Sequence, residues 1–404
     1  MASSDWARYA LKFSEYYRNT ELWVPPRMRM REWMLAPFGM NKPLRHKSFT
    51  STNDLRSFLV NRTPASVFYS TAYWKEPNQL KMADKGWKGA DLIFDLDGDH
   101  LPHINPYNFP EMLEIIRTYA WDLWNDFLKP DFGFQEKYLQ VTFSGHRGYH
   151  LHYRDPSIFH LDSSARRELV NHIRGNTVDV SKFALGDGRD GWAESSGWGE
   201  RVKQGCRNLI EKIDYINKNK GTESAKKLTN ELLESMGKEY VNKNNKPKKK
   251  FEDLLNRFKI EGMKEQLMSG KFTRLGKYES AFHDLIKADQ NIILSGSGET
   301  DEPVTVDVRR VIRYPSSLHG KSGLRVTEMP LSRLDPESAT KFDPLSEAVV
   351  FGKGKQVSLE IIIEEGNIRI KDQEYEFSRG DLITVNEDVA SFLILKNWAK
   401  TNKN

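Results

Sequence analysis

From Leu92 to Asp97 apolar and acidic side chains alternate, with Leu92, Phe94 and Leu96 in one set and Asp95 and Asp97 in the other. A period of two belongs to a strand, so the pattern predicts one strand that turns its apolar face to the core and holds two carboxylates side by side. A second such stretch runs from Tyr138 to Tyr153, two strands around Ser144-Gly145-His146-Arg147-Gly148, with His150 and His152 on one face. Ser66 to Tyr73 alternates aromatic and small residues and predicts a further strand. The period is helical over 5–17, where Trp6, Tyr9, Ala10, Phe13, Tyr16 and Tyr17 follow Ser3 and Ser4 as N-cap candidates. It is helical again over 53–60 and over 109–128, where Met112, Ile115, Ile116, Tyr119 and Leu123 form one stripe. Residues 81–89 read as a polar turn and 98–103 as a loop.

From 154 to about 280 the chain changes character. Asp162 opens a capped helix, helical patterns cover 207–216 and 224–236, and polar tracts lie between them, including a lysine run over 243–250 that reads as a solvated loop. This region is read as a helical insertion, with Cys206 structural. After Val349 the pattern predicts a hairpin, Val357 to Ile363 and Ile368 to Ile370 around a Glu365-Gly366-Asn367 turn. A last helix starts at Asn386 or Glu387 and reaches Ala399, with Val389, Phe392, Leu393 and Trp398 buried.

Composition narrows the class. A chain of 404 residues with net charge +5 and pI near 8.9 permits a polyanionic partner without requiring one. The single cysteine excludes an internal disulfide and a multi-cysteine zinc site. No basic leader or long apolar span occurs, so a cytosolic protein with no membrane contact is expected.

Three stretches carry chemistry. Asp95 and Asp97 on one strand repel each other unless a divalent cation lies between them, and hard oxygen donors suit Mg²⁺ or Mn²⁺. In Ser144–Gly148 the glycines let backbone amides approach an anion, and Arg147 offers a fork to phosphate oxygens. Between Asp301 and Val326, the acids Asp301 and Asp307 precede Arg309, Arg310 and Arg313 and a loop with His319 and Lys321, which suits phosphate again. A third carboxylate beside several phosphate donors is what two-metal nucleotidyl transfer requires. His100 and His103, with no cysteine near them, are read as supporting a metal's ligands from behind or as incidental, and Arg45 and His46 as a solvated basic turn.

Phe94-Asp95-Leu96-Asp97-Gly98 resembles the D-x-D-G signature of haloacid-dehalogenase-like phosphatases, and Gly186-Asp187-Gly188-Arg189-Asp190 imitates their later acidic loop. Asp99, however, stands where that family has Thr or Ser. A second resemblance uses all three stretches in order. Asp95-Leu96-Asp97, Ser144 to His150, and Arg313-Tyr314-Pro315-Ser316-Ser317-Leu318-His319-Gly320-Lys321-Ser322-Gly323-Leu324 are similar to the three motifs of the small subunit of archaeal and eukaryotic DNA primases. Arg45 to Phe49 and Lys85 to Asp91 fit the archaeal form.

That resemblance implies an α+β fold: a primase-type catalytic domain with mixed β-sheets flanked by helices, in parts 1–160 and 286–404, interrupted by a helical subdomain over 161–285. It implies metal ligation by Asp95, Asp97 and Asp301, the last preferred over Asp307 because the family's acid precedes the motif proline by fourteen residues, as Asp301 precedes Pro315. Ser144, Arg147, His150, Arg313 and His319 would hold the triphosphate of the incoming nucleotide, and Lys321 matches a motif lysine whose role is open. The implied activity is template-directed synthesis of short RNA primers on single-stranded DNA, releasing pyrophosphate, for DNA replication. The implied partners are an iron-sulfur large subunit, the template, nucleoside triphosphates and the replication machinery. Many relatives carry a zinc knob after the D-x-D strand, but no cysteine stands there in this chain, so structural zinc is doubtful. The alternatives are a repair-type primase-polymerase that extends existing ends and a non-catalytic replication scaffold.

Overall fold

The computed structural model describes residues 3–39, 42–98, 105–175, 191–192, 197–236, 249–288, 301–352 and 354–402. They fall into two compact units. One comprises Met1–Trp124, Phe134–Val170 and Glu299–Asn404, and the other Asn125–Gly133 and Asn171–Gly298.

All the strands among the described residues lie in the first unit. In chain order they are β1 (Trp33–Ala36), β2 (Leu44–Lys47), β3 (Ser66–Ser70), β4 (Ala72–Trp74), β5 (Trp87–Ala90), β6 (Leu92–Asp97), β7 (Leu139–Phe143) and β8 (Gly148–Tyr153). They continue with β9 (Val311–Arg313), β10 (Thr327–Met329), β11 (Gln356–Ile361), β12 (Glu365–Ile370), β13 (Gln373–Ser378), β14 (Leu382–Asn386) and β15 (Ala399–Thr401). Two four-stranded sheets, ordered β2-β1-β3-β9 and β10-β7-β8-β6, carry the three motifs. Every described ladder is antiparallel, and parallel pairing is limited to an isolated bridge between Asn108 and Asn367. The class is α+β. An antiparallel edge position for β6 is unlike the central parallel strand on which a phosphatase of the dehalogenase type would place its acids.

The alternation in β6 works as its pattern predicts. Leu92, Phe94 and Leu96 are buried, and α3 (Phe109–Asp122) packs on this sheet through Met112, Ile116 and Ala120. Leu113 and Arg117 are buried too, whereas Ile115 and Tyr119 are half-buried, so the helix is covered on a wider arc than the expected stripe. The α-helix ends at Asp122 and continues as π-helical turns over Leu123–Leu128. Gly148 lies opposite Asp97, and a Cβ there would stand 2.3 Å from the Leu96 carbonyl oxygen, so only glycine lets β8 pass this close to β6.

Several sequence expectations change. Ser3 lies inside the first helix, α1 (Ser3–Asn19), rather than capping it, while in α2 (Thr52–Arg62) the cap is Ser51, whose hydroxyl accepts from the Asp54 amide. The polar turn over 81–89 takes in the first three residues of β5 and a fully buried Lys85, which reaches Glu32 at 3.4 Å. Arg45 and His46, expected on a solvated basic turn, lie on β2, and both contact Glu32: Arg45 Nε at 3.1 Å and His46 Nδ1 at 3.4 Å. The hairpin expected over 357–370 does not form. β11 pairs with β14 and β15, and β12, which absorbs the expected turn, pairs with β13. The last helix, Glu387–Leu395, ends before Trp398 because Ala399–Thr401 is claimed by β11.

The second unit is helical among its described residues. Trp198–Lys218, Glu223–Met236, Lys249–Arg257, Met263–Met268 and Glu279–Ala288 enclose a core that includes Leu209, Ile213, Phe251, Leu267 and Phe282. Cys206 is buried in it, and burial pushes its thiol up to about 12, which leaves it protonated and inert. Most of the lysine run, the Gly186–Asp190 loop, His100 and His103 lie outside the described residues. No helix among the described residues is long and apolar enough to cross a membrane.

Candidate active site

The end of β6 opens into a cavity of about 180 Å³. Its walls include Asp95 and Asp97 from β6, Ser144, His146 and His150 from the β7–β8 hairpin, and Arg310, Arg313 and His319 from the third stretch. Residues more than two hundred positions apart in the chain meet here because β6 and β9 end at the same place.

Asp95 lies opposite His150 in the β6–β8 ladder, and its Oδ1 is 3.3 Å from His150 Nε2. Burial, with Arg313 nearby, pulls the His150 imidazole down to about 3, so the ring is neutral and its contact with Asp95 is not an ion pair. The other ring nitrogen, Nδ1, is buried without a partner. Asp301 caps the short helix Glu302–Val306, and its amide donates to the Asp95 carbonyl at 2.9 Å, which fastens a third carboxylate beside β6. Burial first, then the charges of Asp97 and Asp301, push the Asp95 carboxyl up to about 7. Asp307, at the far end of that helix, instead accepts from the Arg309 amide at 2.9 Å in its own turn.

Facing the acids is a set of donors. Arg313 sits opposite Phe68 in the β3–β9 ladder, with its guanidinium 4.4 Å from the ring centroid. Burial lowers it to about 10, against the opposing pull of Asp95 and Asp97, so it stays charged at neutral pH, and its NH1 is buried without a partner. The Ser144 hydroxyl accepts from the Gly148 amide at 3.1 Å and closes the hairpin loop. The His319 Nδ1 accepts from the Lys321 amide at 3.1 Å, so the proton of that ring is on Nε2. The His319 ring stacks on His146, centroids 4.7 Å apart and planes within 10°. Gly145 allows this approach, since a Cβ there would stand 3.0 Å from the His319 Cβ. The third-stretch loop is pinned from behind by α1: the Tyr17 hydroxyl accepts from the Leu318 amide, and the Tyr16 hydroxyl donates to the Ser316 carbonyl.

Of the residues singled out in the sequence, Asp95, Asp97, Ser144, His150, Arg313 and His319 line the cavity, and Asp301 acts on Asp95 through charge and backbone. Arg147 and Lys321 are not among its walls. Arg147 Nε is 3.4 Å from His146 Nδ1, and Lys321 is exposed while its charge still reaches His146 and His319. The remaining walls, to which the sequence assigned no role, are His146, Arg310, Phe68, Val304, Val311 and Ile312. His146 and Arg310 each adjoin or lie near motif residues, but only the pairing of β3 with β9 brings Phe68 here.

The donor set suits a hard divalent cation. Burial first, and then the charges of Asp97 and Asp301, raise the Asp95 carboxyl, and positive charge between the three carboxylates would offset both. Among the described residues no three His, Cys, Asp or Glu groups are already close enough to enclose an ion, so the carboxylates would have to turn inward on binding. The same holds for zinc: the described residues contain no cysteine or histidine cluster that would bind it.

A family model described as DNA primase small subunit matches residues 94–331, which spans all three stretches. The chain is 34% identical over 411 residues to the DNA primase small subunit PriS of Methanosarcina barkeri, covering 96% of this chain and 95% of that one. It is 34% identical to the PriS of Methanothrix thermoacetophila, with 96% and 97% covered, and 32% identical to that of Haloarcula marismortui, with 97% of each covered.

Proposed function

This chain belongs to the DNA primase small-subunit family, and from that premise we propose that the cavity at the end of β6 is where its primer-synthesising nucleotidyl transfer takes place. The activity is that of a catalytic primase subunit, which makes RNA primers for DNA replication. The observation that carries the site is the meeting of Asp95 and Asp97 with Ser144, His150, Arg313 and His319 around one small cavity.

Asp95, Asp97 and Asp301 would hold divalent metal, Mg²⁺ or Mn²⁺. Bound there, the metal would favour ionisation of a primer 3′-hydroxyl and neutralise charge on the departing pyrophosphate. The rest falls to the chain's own groups. Arg313 offers an unpartnered NH1 to a triphosphate oxygen, and neutral His319 donates from Nε2. His150 Nε2 lies 3.3 Å from the Asp95 carboxylate in the ligand-free site, and either nitrogen can serve phosphate once that carboxylate turns to metal. Arg147 and Lys321, outside the walls, would close on the outer phosphates. The new bond joins the 3′-oxygen to the α-phosphorus, the bond to pyrophosphate breaks, and the hydroxyl proton leaves to solvent. No side-chain nucleophile is needed, so catalysis is positioning and charge compensation.

The relatives are named as small subunits, and we take this chain to act with a large partner subunit, iron-sulfur in kind, on a single-stranded DNA template at the nucleoid. The test is synthesis on an unprimed single-stranded oligonucleotide with labelled nucleoside triphosphates and Mg²⁺ or Mn²⁺. Short template-dependent products from the native chain, and none from an Asp95→Ala, Asp97→Ala variant, are expected. Products from both would remove the acids from the chemistry. Extension only of pre-annealed ends would point to a repair-type primase-polymerase.

A further inference from the structure

The family match ends at residue 331, yet one side chain from beyond it reaches the wall of the cavity. Lys396 closes the C-terminal helix Glu387–Leu395, and its Nζ donates to His146 Nε2 at 2.9 Å, across 250 positions of chain. The ammonium also stands 4.7 Å from the Phe109 ring centroid and 5.1 Å from that of Trp398, so two aromatic faces hold it in place. A lysine at a helix C-terminus ordinarily faces the last carbonyls or solvent. Here it is directed at an imidazole that is only 7% exposed.

The consequence for the site is specific. An ammonium can only donate, so His146 Nε2 accepts from Lys396, while Arg147 Nε approaches Nδ1 at 3.4 Å, and the ring is held between two cations. The His146 ring held in this way lies against His319, whose Nδ1 accepts from the Lys321 amide. Without Lys396 the tilt of the His146 ring would be left to Arg147 and the His319 stack.

We infer that Lys396 is a positioning residue of the nucleotide cavity: through its hydrogen bond to His146 it sets the His146–His319 stack against which the triphosphate is held, and so makes the C-terminal element part of nucleotide binding. The inference rests on the reading of this cavity as the nucleotide site. It predicts that loss of Lys396 weakens binding of the triphosphate while leaving the acids, and hence turnover once substrate is bound, nearly intact.

The test uses the full chain and a double-mutant cycle. Nucleoside triphosphate binding is titrated calorimetrically with Mg²⁺ present, and KM and kcat for nucleotide are measured on primed template, for the native chain, Lys396→Met, Lys396→Arg, His146→Ala and the Lys396→Met, His146→Ala pair. Lys396→Met is expected to raise Kd and KM by about tenfold with kcat within about twofold, the scale of a lost hydrogen bond to a charged donor. Lys396→Arg should recover most of the loss, and the pair should bind no worse than His146→Ala alone. Unchanged KM in Lys396→Met, or fully additive losses in the pair, would overturn the inference. A fall in kcat and melting temperature together, without rescue by arginine, would make Lys396 a structural residue only and overturn it as well. If the native chain binds no triphosphate at all, it is the reading of the cavity that fails.

Discussion

The two ends of one strand hold buried charge in opposite ways. Just before β6, Asp91 is fully buried and both its carboxylate oxygens are engaged: Oδ2 by Arg31 at 2.9 Å and Arg154 at 3.1 Å, Oδ1 by the Tyr73 hydroxyl. Arg31 also donates to the Ser70 and Thr71 carbonyls, and Arg166 donates to the carbonyls of Ala90 and Asp91. At the far end, Asp95 faces two further carboxylates, His150 Nδ1 and Arg313 NH1 have no partner, and the charges look into a cavity. A completed network holds the fold. An incomplete one, which costs about 1–3 kcal/mol for each buried group left unmatched, persists where a ligand completes it.

That contrast can be broken most sharply at the acids. Replacing Asp95 and Asp97 with alanine should lower template-dependent incorporation by about 10⁴-fold or more while the chain stays folded, measured by product yield beside circular dichroism. At the other end the reverse should hold. Arg31→Met leaves the buried Asp91 charge short of a partner and should cost about 3–5 kcal/mol in urea unfolding, with activity per folded molecule retained. If Arg31→Met abolishes activity in a chain of native stability, the division between the two ends is wrong.

Smaller effects sharpen the comparison. Arg313→Gln removes the unpartnered cationic donor and should raise the nucleotide KM by roughly 10- to 100-fold with little change in stability. Asp95→Asn relieves the repulsion and, in the presence of a chelator, should raise the melting temperature by about 2–4 °C. Added Mn²⁺ should stabilise the native chain and leave that variant nearly unmoved.

How far the sequence disclosed this division depends on where each partner lies in the chain. The D-x-D strand and the strand-loop-strand over 138–153 were legible because a period of two, broken by Gly145 and Gly148, is a local signal. Their pairing into one ladder, which sets Asp95 opposite His150, accords with it. The expected hairpin over 357–370 failed because β11 takes partners that come later, β14 and β15, and nothing local in the strand records that choice. Lys85 read as part of a polar turn, since its buried partner Glu32 is more than fifty residues away. In the site itself, the acids and the Ser144–His150 loop stood out as motifs. Phe68 and Lys396 did not, because an isolated aromatic on a strand and a lysine ending a helix look the same whether or not a cavity adjoins them.

Manganese binding followed by electron paramagnetic resonance tests the difference between the two ends most directly, with the native chain compared to the Asp95→Asn, Asp97→Asn variant in the presence of a nucleoside triphosphate. The incomplete end of β6 as the metal site predicts tight Mn²⁺ binding, about two ions per chain, in the native protein and its loss in the variant. Equal binding by both proteins would place the metal elsewhere and contradict it.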